Sequence, residues 1–88
     1  MSDSTITILY FAWMREHTGA AQETMSLPDS VATIGDLLPH ITGQSRGHAL
    51  ALKNMMAVRV AVNRTYGNLK TPIGAGDEIA FFPPVTGG

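Results

Sequence analysis

The chain contains no cysteine. Disulfides, thiolate nucleophiles, cysteine-ligated zinc and persulfide chemistry on the chain itself are therefore excluded. Charge is scarce too: Asp, Glu, Lys and Arg make up 15% of the residues, against a usual ~25 %. Six basic and seven acidic side chains leave a formal net charge of -1. A charge-driven grip on nucleic acid or an anionic membrane is disfavoured. No apolar run approaches the ~20 residues of a membrane span. Met1-Ser2-Asp3-Ser4 lacks the basic and apolar regions of a signal peptide. The expectation is a soluble cytoplasmic domain with neither nucleic acid nor membrane as partner.

A hydrophobic content of 44% over 88 residues argues against disorder and for one small domain. Thr5 to Trp13 is rich in β-branched and aromatic residues and reads as a strand. Alternation puts Ile6, Ile8 and Tyr10 on one face and Thr7, Leu9 and Phe11 on the other. A short helical turn over 12–18, closed by Gly19, follows. Residues 23–27 read as a second strand, ended by Pro28-Asp29-Ser30.

The clearest helix begins after Thr33, whose partner Asp36 three residues on resembles a capping box. Ile34, Leu37, Leu38 and Ile41 form its apolar stripe, while Pro39 predicts a kink or an early stop. Residues 43–47 read as loop, and Leu52, Met55 and Met56 suggest a second short helix. Strands are predicted over 57–62 and 78–82, with turn-rich segments at 63–68 and 71–77. This order predicts an α+β domain, a mixed sheet with a helix packed on one face.

Chemistry-bearing constellations are few. His17, His40 and His48 lack the i, i+3 or i+4 partners of a zinc site, so no metal is expected and they read as solvated or structural. Asp77-Glu78 and Arg15-Glu16 are isolated pairs, not carboxylates converging on a cleft. Gly74-Ala75-Gly76 precedes a strand where a phosphate loop would follow one. The serines lack a nucleophile elbow.

Two features carry more. The first is the sheet face away from the helix, where Leu9, Phe11, Ala61, Ala80 and Phe82 would form an apolar patch; such a patch usually marks a partner surface. The second is the ending Phe82-Pro83-Pro84-Val85-Thr86-Gly87-Gly88. Two prolines stop the ladder and favour an extended course. The last five residues can reach about 17 Å. Residues 1–83 are read as the domain and 84–88 as a flexible tail. Two terminal glycines make an arm thin enough to present a carboxylate inside another protein's narrow active site.

Gly76-Asp77-Glu78-Ile79-Ala80-Phe81-Phe82-Pro83-Pro84-Val85-Thr86-Gly87-Gly88 closely resembles the C-terminus of the small, sulfur-carrying subunits of molybdopterin synthase. Ile8-Leu9-Tyr10-Phe11-Ala12 with Arg15-Glu16 resembles that family's opening strand and helix, and Val60-Ala61-Val62-Asn63 its middle strand. Pro39 and Tyr66 are less typical. The resemblance implies a ubiquitin-like β-grasp fold with an extended C-terminal tail. It implies that an E1-like enzyme uses ATP to adenylate Gly88, with Gly87 beside it, and that a sulfur donor protein converts the adenylate to a thiocarboxylate. The chain would bind nucleotide only as that acyl adenylate and hold no stable cofactor. The large synthase subunit, in a heterotetramer, would supply the catalytic side chains and pass the sulfur to cyclic pyranopterin monophosphate. Phe11, Tyr66 and Phe82 match family interface positions, and Pro83, Pro84, Val85 and Thr86 belong to the inserted tail. The alternatives are a sulfur carrier for thiamine or a tungsten cofactor, a ubiquitin-like protein modifier, and a plain binding module.

Overall fold

The computed structural model describes residues 4–84. Five strands form one mixed sheet: β1 (Thr5–Tyr10), β2 (Gln22–Ser26), β3 (Arg59–Val62), β4 (Thr65–Gly67) and β5 (Glu78–Phe82). Their spatial order is β2-β1-β5-β3-β4. β1 and β5 run parallel at the centre and the other pairs are antiparallel. Three helices, α1 (Trp13–Thr18), α2 (Ile34–Thr42) and α3 (Arg46–Ala51), and a 3-10 turn at Met55–Ala57 complete the described residues.

The alternation expected for β1 holds. Ile6, Ile8 and Tyr10 are buried beside Val60, Val62, Ile79 and Phe81 of the paired strands. Met14 of α1, Ile34, Leu37 and Ile41 of α2, and Ala51 of α3 close the same core. Burying such side chains stabilises by roughly 1.5–3 kcal/mol each, so nearly all the apolar driving force lies on one side of the sheet. Gly19 ends α1 in the left-handed conformation, φ 81°, as a C-cap requires.

Several readings need correction. The strand read over 57–62 begins at Arg59, and the short helix suggested by Leu52, Met55 and Met56 is a 3-10 turn over Met55–Ala57, with Leu52 capping α3. The first strand ends at Tyr10, and Trp13 already belongs to α1. α2 does not stop at Pro39 but runs through it to Thr42. The proline removes one backbone donor. Beyond it, Thr42 Oγ1 donates to the Leu38 carbonyl at 3.1 Å, the Gly43 amide bonds the Pro39 carbonyl at 3.0 Å, and Ile41 is fully buried. The loop over 43–47 gives way at Arg46 to α3, capped by Ser45. Gly47 permits that helix to sit against α1, since a Cβ there would collide with the His17 carbonyl oxygen. The turn-rich segment 63–68 contains a strand, β4, joined to β3 by Asn63 and Arg64 with φ 51° and 70°. Two positive φ values make the tight turn that suits a twisted hairpin.

The capping box at α2 is present. Thr33 Oγ1 accepts the Asp36 amide at 3.2 Å, and Asp36 Oδ2 accepts the Ala32 and Thr33 amides at 3.1 and 3.3 Å. The Ala32 hydrogen bond first, and those of Thr33 after it, hold the Asp36 carboxyl below its ordinary 3.8. Replacing Thr33 by Ala should cost about 1 kcal/mol, or about 4–8 °C in a domain of this size. A carboxyl whose folded pKa is depressed stabilises fully above its unfolded pKa and loses that contribution as pH falls through the folded value. Thermal unfolding between pH 7 and pH 3 should therefore show Asp36→Asn losing less stability than the parent below about pH 4. Parallel curves would remove the carboxylate from the cap.

Candidate functional site

The sheet face opposite the helices is built by register. Leu9 pairs with Ala80, Ala80 with Ala61, and Ala61 with Tyr66, so four strands present one apolar row. Phe11 and Phe82 lie at one end of it. Because β1 and β5 are parallel, both strands finish at that end, and the Phe11 amide donates to the Phe81 carbonyl at 3.1 Å. Phe11 is 46% exposed and Tyr66 76%, while Leu9, Ala80 and Phe82 are half-buried. The Tyr66 and Phe82 rings stand 5.7 Å apart at 34°. The structure thus brings Phe11, Tyr66 and Phe82 onto one surface. Ala61 is the exception: it lies in the row but is buried.

Local geometry holds Phe11 at the surface. Ala12 follows it with φ 55° and ψ -129°, a conformation that favours glycine, and the Met14 amide bonds the Phe11 carbonyl at 3.2 Å. Such backbone costs on the order of 1–3 kcal/mol and persists only where its surroundings enforce it. Here it turns the chain sharply from β1 into α1.

The tail begins on the same surface. β5 ends at Phe82 because Pro83 and Pro84 cannot donate to a ladder. Both prolines are half-buried. Val85, Thr86, Gly87 and Gly88 lie outside the described residues, as does the end of the segment read as a tail. Arg59 stands opposite Phe82 across the β3–β5 pair, its guanidinium donating to the Met56 carbonyl at 3.2 Å. The other end of the face carries the exposed pair Arg64–Glu78 at 4.0 Å, which adds little stability.

A polar cluster on the other side of the sheet was not legible beforehand. His48, on α3, is buried; its Nε2 lies 3.0 Å from Glu23 Oε2 and its Nδ1 2.7 Å from Ser45 Oγ. Tyr10 donates its hydroxyl to the same Glu23 carboxylate. Burial first, then the hydrogen bond and charge of Glu23, push the Tyr10 phenol well above its ordinary value. Hydroxyl, imidazole and carboxylate in line have the composition of a hydrolytic triad. Ser45 Oγ, however, also accepts the His48 amide at 3.1 Å as the cap of α3, so the cluster ties α3 to β1 and β2. His17 and His40 are exposed. Among the described residues no three His, Asp or Glu side chains are grouped to hold a metal ion, and no helix is long and apolar enough to cross a membrane.

The chain is similar to known proteins over nearly its whole length. The ThiS family model matches residues 8–88. The molybdopterin synthase sulfur carrier subunit of Escherichia coli is 40% identical over 83 residues, covering 94% of this chain and 99% of that protein. Among solved structures, SAMP1 from Haloferax volcanii superposes with a TM-score of 0.72 at 30% identity, covering 96% of this chain and 99% of that one. The putative molybdopterin converting factor subunit 1 of Pyrococcus furiosus gives 0.75 at 26% identity, covering 93% of this chain and 99% of its own.

Proposed function

The chain belongs to the ThiS family, and on that premise we propose that it is the sulfur carrier subunit of a molybdopterin synthase. The observation that carries this reading is the near full-length likeness to a molybdopterin synthase sulfur carrier subunit, joined to an apolar face at the base of a Gly-Gly ending. The ubiquitin-like β-grasp fold shared with the solved relatives supplies the platform.

The reacting group is the Gly88 carboxylate. A carboxylate is a poor electrophile, so an E1-like enzyme joins it to the α-phosphate of ATP and pyrophosphate leaves. Sulfide-level sulfur delivered by the donor as HS⁻ then attacks the acyl carbon, AMP departs with the electrons of the acyl–oxygen bond, the S–H proton goes to water, and a thiocarboxylate remains. Its sulfur is a soft nucleophile on a tether, and tethering raises its effective concentration in the acceptor's site. The large synthase subunit receives Pro83 to Gly88, docks on Phe11, Tyr66 and Phe82, and supplies the side chains that act on cyclic pyranopterin monophosphate. ATP is consumed by the activating enzyme, and this chain keeps no resident cofactor. A cytoplasmic location belongs to the same reading, since the activating enzyme draws on ATP and the donor on reduced sulfur.

Intact mass spectrometry of the protein from its own cells tests the chemistry. A fraction of the chain should carry sulfur in place of one terminal oxygen, and its complete absence from cells making the cofactor would overturn the reading. The likeness to SAMP1, a small archaeal modifier protein, favours one second reading, attachment of Gly88 to protein lysines. Denaturing gels of the same cells would then show a ladder of adducts, where the carrier reading expects the free chain.

A further inference from the structure

β4 is the last strand of the sheet, and among the described residues nothing pairs with its outer edge. Antiparallel pairs alternate between hydrogen-bonded and non-bonded kinds. The Asn63 amide bonds the Glu78 carbonyl at 2.7 Å, so the pair two residues on, Ala61 and Ala80, is also of the bonded kind. Ala61 therefore directs its backbone groups at β5. Its partner on the other side, Tyr66, directs its own N–H and C=O away from β3, into the open edge. Thr65 and Gly67 face β3, and the Asn68 amide is taken by Thr71 Oγ1 at 2.8 Å. The edge thus offers one donor and one acceptor, both on Tyr66.

Apolar surface flanks that edge on both sides. On the outer face stands the Tyr66 ring. On the helix side lies a cavity of about 250 Å³ lined by Met55, Met56, Val58, Val60, Asn68 and Leu69, with Met56 89% and Leu69 48% exposed. The volume is below the ~300–1,000 Å³ of small-molecule sites and suits one or two apolar side chains. An added strand alternates its side chains between the two faces. Its backbone would bond Tyr66 while one apolar side chain met the Tyr66 ring and the next entered the cavity.

We propose that the β4 edge and this cavity capture an extended apolar segment of the large synthase subunit. The proposal rests on the sulfur-carrier reading, and continuity of surface selects the occupant. The Tyr66 ring abuts Phe82 at the base of the tail, and Arg59, opposite Phe82, bonds the carbonyl of Met56 in the cavity wall. A protein seated on Phe82 reaches the edge over the Tyr66 ring, with the Arg59 guanidinium beside that path.

The test is amide hydrogen exchange of the full chain, free and saturated with the large subunit, together with binding of a Met56→Asp, Leu69→Asp double variant. The Tyr66 amide should exchange at least about tenfold more slowly in the complex, and the double variant should bind about 10-fold to 100-fold more weakly while unfolding as the parent does. A complex of normal affinity in which Tyr66 exchanges as in the free chain would overturn the strand addition and leave the carrier reading standing. Failure of the parent to bind the large subunit would overturn both. Slowing of the Tyr66 amide in the chain alone as concentration rises, with dimers in sedimentation, would make a second copy the occupant and overturn the proposal as well.

Discussion

A chain extended by one residue beyond Gly88 should lose sulfur transfer altogether while unfolding at the temperature of the parent. The extension moves the free carboxylate about 3.5 Å farther along the arm. Reacting atoms must approach to about 3–3.5 Å in the right orientation, so a displacement of that size removes the acyl group from the site where adenylation and sulfur transfer occur. Stability should be untouched, since the described core ends with Phe81 and the prolines that follow Phe82 add no strand. An added glycine tests displacement alone, and an added alanine tests displacement plus a Cβ in the acceptor's channel. The assay combines E1-like enzyme, sulfur source, ATP, large subunit and pterin precursor. Full activity from either extended chain would sink the carrier mechanism, which has no second residue for the sulfur.

The parts of this domain that could be read from the sequence are those where one force dominates. The alternation of Ile6, Ile8 and Tyr10 against Thr7, Leu9 and Phe11 is set by burial on one face, and β5 was bounded by a turn before it and prolines after it. The capping box at Thr33 and Asp36 is a contact between residues three apart. What stayed hidden depends on distant partners. Pro39 forbids one hydrogen bond, but the burial of Ile41 outweighs it. β4 is three residues long and is held by β3 alone; the clue was Asn63 at a two-residue turn, with Arg64 in place of the expected glycine. His48 meets Glu23, 25 residues earlier, on the helix side of the sheet, and no local pattern announces that meeting. The outer face was legible as a set, yet Ala61 is buried there, since alternation along a strand gives the face of a residue and not its cover.

Phe82→Asp should weaken binding of the large subunit by roughly 100-fold or more and leave the free domain folded. In the free chain Phe82 lies on the outer face, half-buried and touching Tyr66. A carboxylate there remains hydrated, faces Arg59 across the β3–β5 pair, and costs about 1 kcal/mol in strand preference. On the docking face proposed above, the same position is the apolar base of the tail, between Phe11 and Tyr66. A carboxylate shut in there loses its water while the Arg59 guanidinium stays held by the Met56 carbonyl, a cost of several kcal/mol, and each 1.4 kcal/mol is about a factor of ten in affinity. Phe82→Leu keeps the apolar contact and should bind within about tenfold of the parent, which separates loss of shape from burial of charge. Calorimetric titration of both variants measures the effect. Equal affinity for Phe82→Asp and the parent would take Phe82 out of the interface, and with it the argument that the outer face, rather than the tail alone, recognises the acceptor.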